Sequence, residues 1–214
     1  MAPELLSIAA GPEWLTRAAD HLRTGRVVAL PTETVYGLAC CAFRQEGVER
    51  LFELKSRSEM KPLPVQVDSL RTALAAGFTF SPAVLRLART FWPGPVTLVL
   101  ERPASIPSWY APESEAVALR IPDHAAALAL LAEMGDPLAV TSANRSGEPP
   151  LTEAAAIAEA FRGEEDLLIL DDGPSPRGLA STVMDVTGPG EPRLVREGPV
   201  SLETLLAVWR GSGA

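Results

Sequence analysis

The chain has 214 residues, with 47% apolar residues, 21% charged residues and a formal net charge of −8. That length buries a sizeable core without disulfides, and the composition marks an ordinary soluble globular protein rather than a general nucleic-acid binder, whose affinity rests on phosphate neutralisation. No apolar run reaches the ~18 residues that a membrane helix requires, the N-terminus has an acid where a secretory signal would have basic residues, and adjacent Cys40 and Cys41 make a poor disulfide framework. A cytoplasmic setting with no membrane contact is expected.

In chain order, residues 13–24 have helical spacing through Trp14, Leu15, Ala18, Ala19 and Leu22, and Gly25 is a natural stop. The segment 26–30 (R-V-V-A-L) reads as a buried strand ending at Pro31, and 35–42 (V-Y-G-L-A-C-C-A) as a second strand. Residues 47–57 recover helical spacing and carry Lys55 and Arg57 at the helix end, where a cation meets the negative pole of the dipole. A short strand is predicted at 63–67 and helices at 69–76 and 82–91, the latter started by Ser81-Pro82. Strands at 96–100 and 116–120 flank a Pro-rich loop, a helix covers 123–134, and 137–144 is a strand running into a polar turn. Helix 152–161, strand 167–170, a Gly/Pro loop at 173–178, strands near 182–186 and 193–196, and helix 201–209 complete the chain. This interleaving predicts one α/β domain over 1–214 with a twisted mixed sheet.

Lys55 and Lys61 are the only lysines, against 17 arginines. Guanidinium is a flat fork and ammonium a compact point charge, so two lysines kept within K-S-R-S-E-M-K-P suggest a site that needs ammonium geometry. Together with Arg57 they can clamp a polyphosphate; the alternative is a solvated helix end. In P-T-E-T (31–34), Thr32 and Thr34 flank Glu33 after a buried strand, facing either a crevice or their own turn. In T-S-A-N-R-S-G-E (141–148), hydroxyls, an amide and a guanidinium follow an apolar strand, which suits either an anion site or a helix N-cap. Ser181, Thr182, Arg196 and Arg120 stand at further strand ends. No Walker loop, G-x-G-x-x-G, H-E-x-x-H or G-x-S-x-G occurs, and His21 and His124 lack ligand spacing, so no metal held by protein side chains is expected.

Seven segments in order, P-T-E-T-V-Y-G-L, K-S-R-S-E-M-K-P-L-P-V, W-P-G-P-V-T-L-V-L, V-A-L-R-I-P-D-H, T-S-A-N-R-S-G-E-P, S-T-V-M-D and R-E-G-P-V-S, span about residues 27–201. On these the chain resembles the YrdC/TsaC family of threonylcarbamoyl-AMP synthases, in its short form without an extra C-terminal domain. The resemblance implies a twisted α/β sheet around a deep cationic cavity. It also implies a reaction of L-threonine, bicarbonate and ATP with Mg2+, giving threonylcarbamoyl-AMP and pyrophosphate. The product would pass to the t6A transferase machinery (TsaB/TsaD/TsaE type) that modifies tRNA.

Residue by residue, the resemblance implies that Lys55, Arg57, Ser142 and Asn144 form the catalytic set at the nucleotide end. Lys61 would lie by the phosphates and Arg196 would face ATP. Thr34, Arg120, Thr141 and Ser181 match positions around threonine, Arg120 being the partner for its carboxylate, with Thr32 and Gln66 as weaker candidates. Ser56 and Ser58 stand where relatives often carry Gly and Pro, and Gln66 where some have His. Rival readings are an RNA-binding module, which leaves weak RNA binding as a side property, a carbamoyltransferase-type domain of hydrogenase maturation proteins, and a translation factor.

Overall fold

A computed structural model describes residues 2–56, 63–110 and 114–212. Ten strands among these residues form one mixed sheet. They are β1 (Glu4–Ser7), β2 (Val27–Leu30), β3 (Gly37–Cys41), β4 (Val65–Gln66), β5 (Val96–Glu101), β6 (Ala116–Arg120), β7 (Leu138–Ser142), β8 (Leu167–Asp171), β9 (Thr182–Asp185) and β10 (Arg193–Arg196). Their spatial order is β1-β8-β2-β3-β7-β4-β6-β5-β9-β10. The helices are α1 (Glu13–Arg23), α2 (Gln45–Leu54), α3 (Leu70–Ala75), α4 (Pro82–Phe91), α5 (Ala125–Met134), α6 (Ala154–Ala160) and α7 (Leu202–Arg210).

The expected interleaving of strands and helices is present, and the differences lie at the ends. β1 was absent from the reading by periodicity: its four residues do not alternate, and it forms because the edge of β8 offers a parallel partner, Leu5 opposite Ile169. α2 stops at Leu54 instead of 57, since Ser56 adopts φ +50°, a left-handed conformation that a helix cannot contain. His124 precedes α5 as its N-cap position rather than lying within a helix. Three helix starts follow the capping rule, with Ser69, Ser81 and Ser201 each accepting a backbone N–H three residues on.

The alternation of side chains across each strand sorts the core. Val27, Ala29, Leu38, Cys40, Leu98 and Leu119 point to one face, where α2, α4, α6 and α7 bury Leu51, Leu87, Ile157 and Leu205 against them. Val28, Leu30, Ala39, Cys41, Leu138 and Leu168 point to the other, where α1 and α5 contribute Trp14, Leu22, Leu130 and Leu131. These two helices cover only the β8-β2-β3-β7 half of that face. On the β4-β6-β5-β9 half the same pleat presents Gln66, Ala118, Arg120, Thr97 and Val183, which line a cleft.

The segment after β10 passes close to the start of β9, and Gly198 is the residue that permits the approach. A Cβ at Gly198 would lie 2.3 Å from the Thr182 amide nitrogen and 2.6 Å from the Ser181 carbonyl carbon. Backbone cannot yield as a side chain does. Gly198→Ala is therefore expected to destabilise the fold by about 1–3 kcal/mol, read as a lower denaturation midpoint. An unchanged midpoint would show that the close approach is not maintained in solution.

Candidate active site

The uncovered half-face is the floor of a cleft of about 140 Å³. Its walls come from distant parts of the chain: the 32–37 turn, β4, β5, β6, the end of β7 and the 180–183 segment, with Arg196 from β10. Gly37 forms part of the wall, and a Cβ there would meet Val140 Cγ1 at 2.6 Å.

The turn after β2 satisfies both of its sequence readings. Thr32 Oγ1 donates to the Val35 carbonyl at 2.6 Å, and the Thr34 amide donates to Thr32 Oγ1 at 3.3 Å. The turn so closed still leaves Thr32 and Thr34 on the cleft wall. Thr34 Oγ1 accepts from Arg120 Nη1 at 3.0 Å. Arg120 Nε donates to the Gly94 carbonyl at 3.0 Å, so the W-P-G-P turn steadies the guanidinium from behind.

Glu33 is the counter-ion of Arg120, at 2.6 Å from Oε1 to Nη2, with both side chains more than nine-tenths buried. The contact is an ion pair and not an aligned hydrogen bond, and both Glu33 oxygens and Arg120 Nη2 are otherwise without a partner among the described residues. Burial draws the Arg120 pKa below its ordinary value, while Glu33 opposes the shift, so the group stays charged. Gln66 Oε1 is a second buried, unpartnered atom on the wall. Such atoms suit a ligand that brings donors and acceptors of its own.

Toward β9, Ser181 Oγ and Thr97 Oγ1 stand 2.8 Å apart. Arg196 is exposed at the rim, but its guanidinium packs on Ser181, donating to the carbonyl at 3.1 and 2.9 Å and to Oγ at 3.2 Å. Desolvation there, together with the Arg120 charge, draws the Arg196 pKa below its ordinary value. Two guanidinium groups thus share one cleft, an arrangement that an entering anion relieves.

Beside the cleft lies a knot of hydrogen bonds. Lys55 follows α2, yet its ammonium turns away from the helix carbonyls to donate to Ser142 O and Asn144 Oδ1, both at 2.8 Å. Ser142 Oγ donates to the same Asn144 oxygen at 2.6 Å, and Asn144 Nδ2 donates to the carbonyls of Arg145 and Glu148. Arg145 reaches Leu54 O and packs over the Phe161 ring at 5.2 Å. The 141–148 segment is therefore a clamped turn and not an N-cap, since α6 begins only at Ala154.

The structure brings Thr32, Thr34, Gln66, Arg120, Thr141, Ser142, Ser181 and Arg196 onto one cleft, with Lys55 and Asn144 joined to its wall through Ser142. Arg57 and Lys61 lie outside the described residues. Thr97 was not singled out from the sequence. Its signal is one hydroxyl in the apolar strand V-T-L-V-L, on the face opposite Val96 and Leu98.

A family model named Sua5_yciO_yrdC and described as "Telomere recombination" matches residues 20–198. The chain is 39% identical to a threonylcarbamoyl-AMP synthase of Pyrococcus abyssi, covering 90% of this chain and 56% of that relative's length. It is 37% identical to a putative threonylcarbamoyl-AMP synthase of Mycobacterium tuberculosis, covering 93% of this chain and 92% of the relative. The chain thus spans little more than half of the Pyrococcus relative but nearly all of the mycobacterial one. Among solved structures, P. abyssi Sua5 complexed with L-threonine superposes with a TM-score of 0.88 at 36% identity, over 97% of this chain and 61% of that one. E. coli YciO shares the fold, with a TM-score of 0.84 at 22% identity, over 95% of this chain and 99% of that one.

Asn144 is the hub of the knot, so Asn144→Ala is expected to leave the buried Lys55 ammonium short of an acceptor. The cost should be about 1–3 kcal/mol of stability, measured by denaturant titration. An Asn144→Ala midpoint equal to that of the parent chain would mean that the knot contributes nothing.

Proposed function

The chain belongs to the Sua5/YciO/YrdC family, and we propose that it is an L-threonylcarbamoyladenylate synthase acting in t6A formation. The observation that carries this reading is the cleft itself. Thr34, Arg120, Thr141, Ser142, Ser181 and Arg196, from five separate stretches of chain, converge on one cleft, where Gln66 Oε1 and Arg120 Nη2 have no hydrogen-bond partner among the described residues. The named activity of the relatives supports the choice of substrates, and the L-threonine complex of P. abyssi Sua5 supports threonine in particular.

In this reading Arg120, already fixed by Gly94, Thr34 and Glu33, turns its remaining N–H groups to the threonine carboxylate. Thr34, Thr141 and Ser181 surround the amino acid, with Thr32 and Gln66 in supporting positions. The neutral α-amine attacks the bicarbonate carbon, water leaves, and a carbamate results. A carbamate oxygen then attacks the α-phosphorus of ATP, and the bond to the bridging oxygen breaks to release pyrophosphate. No protein nucleophile is required. The protein orients three reactants and stabilises charge on the phosphates.

Lys55, Arg57, Ser142 and Asn144 form the nucleotide end, with Lys61 and Arg196 also toward ATP. Mg2+ enters with the ATP phosphates. Lys55 acts partly by holding Ser142 and Asn144 in place, through its ammonium bonds to Ser142 O and Asn144 Oδ1. Residues 1–214 work as one catalytic unit in the cytoplasm, and the labile adenylate is handed to the t6A transferase machinery of the TsaB/TsaD/TsaE type. A net charge of −8 leaves RNA contact a weak accessory at most.

The deciding measurement is pyrophosphate release from ATP with L-threonine and bicarbonate, each omitted in turn. Release that requires both is expected; release indifferent to threonine would overturn the proposal. In the same assay Lys55→Ala and Arg57→Ala should each lose about 100-fold in turnover while still melting cooperatively. Full activity in either variant would remove that residue from its role.

A further inference from the structure

Three donors meet on the cleft wall where β5 and β9 lie side by side. Arg196 Nη2 donates to Ser181 Oγ at 3.2 Å, and Ser181 Oγ lies 2.8 Å from Thr97 Oγ1. Thr97 is 3% exposed and Ser181 5%, and both line the cleft. A hydroxyl carries one hydrogen and two lone pairs. Arg196 occupies one lone pair of Ser181. The Thr97–Ser181 contact uses one further lone pair and one of the two hydroxyl hydrogens. One hydroxyl hydrogen is left over, and among the described residues no acceptor takes it.

Which hydroxyl keeps that hydrogen decides what a ligand meets. When Thr97 donates, both lone pairs of Ser181 are filled, one by Arg196 and one by Thr97. Ser181 can then act on a ligand only as a donor. The 2.8 Å contact fits either direction, and Thr97 sits in mid-strand, its backbone fixed by the pairing of Thr97 with Val183 and Leu98 with Leu119.

We propose that Thr97 is a positioning residue that makes Ser181 an obligate donor to an acceptor oxygen of the bound amino acid. The inference rests on the threonine-binding reading of the cleft given above. It assigns Thr97 no contact with the reacting atoms; its effect runs through Ser181. Arg196 keeps its two bonds to the Ser181 carbonyl whatever occupies position 97, so the nucleotide end is insulated from the change.

The test uses the full chain and threonine-dependent pyrophosphate release. Thr97→Val keeps the branched shape and removes the hydroxyl. It is expected to raise the KM for L-threonine about five- to tenfold, the loss of one orienting hydrogen bond, while kcat and the KM for ATP change by less than about twofold. Thr97→Ser restores the hydroxyl and should return the threonine KM to within about twofold of the parent value. In a Ser181→Ala background Thr97→Val should add no further rise, because the interaction it removes is already gone. If Thr97→Val does not melt cooperatively, Thr97→Ala carries the same comparison.

An unchanged threonine KM in the hydroxyl-free variant, an equal rise with and without Ser181, or no rescue by Thr97→Ser would each overturn the inference. A parent chain without threonine-dependent release would instead overturn the synthase reading on which it rests.

Discussion

The strand pleat is the constraint on which the rest of this structure depends. Side chains alternate between faces, so a strand covered on both sides is apolar throughout, and one covered on a single side must present something else to the other. β2 and β3 lie under helices on both faces and read V-V-A-L and G-L-A-C-C. β5, β6 and β9 are covered on one face only, and their second face carries Thr97, Arg120, Ala118 and Val183. The cleft is the region where α1 and α5 stop covering the sheet. Its polar floor costs the core little, because the same strands bury Leu98, Leu119 and Met184 on the reverse side.

Charge within the cleft follows from that placement. A buried guanidinium is costly unless paired, and Arg120 meets this requirement with Glu33, Thr34 and Gly94. The pairing is incomplete by design of the geometry, since neither Glu33 oxygen lies in line with a donor. Lys55 shows the complementary case. Its ammonium reaches two acceptors that converge from one turn, Ser142 O and Asn144 Oδ1. A compact tetrahedral donor fits that convergence, and a planar fork with fixed spacing would not. This gives a physical reason for a lysine at 55 in a chain that otherwise uses arginine.

Much of the fold was legible because its elements are strongly periodic or well capped. The helix at 82–91 was bounded correctly by Ser81-Pro82, and the strand pattern matched nearly every observed strand. β1 was not legible, because a short edge strand is created by its neighbour and not by its own pattern. Within the site, Thr34, Arg120, Ser142 and Ser181 were visible as polar residues at strand ends. Thr97 was hidden, since a threonine in mid-strand is also an ordinary strand former. The choice between a turn and a crevice for Thr32 and Thr34 had no local answer, and the structure satisfies both.

By itself, then, the sequence determined the class of fold, the order of its elements and most of the polar residues that line the cleft, because these depend on local periodicity, caps and the position of polar groups at strand ends. Only the tertiary structure decided which of them meet. Lys55 and Asn144 are 89 residues apart in sequence and share a hydrogen bond; Thr97 and Ser181 are 84 apart and share another. Such contacts are set by strand order and by which half of a face the helices leave open. Those are properties of the whole packed sheet, and no window of the chain contains them.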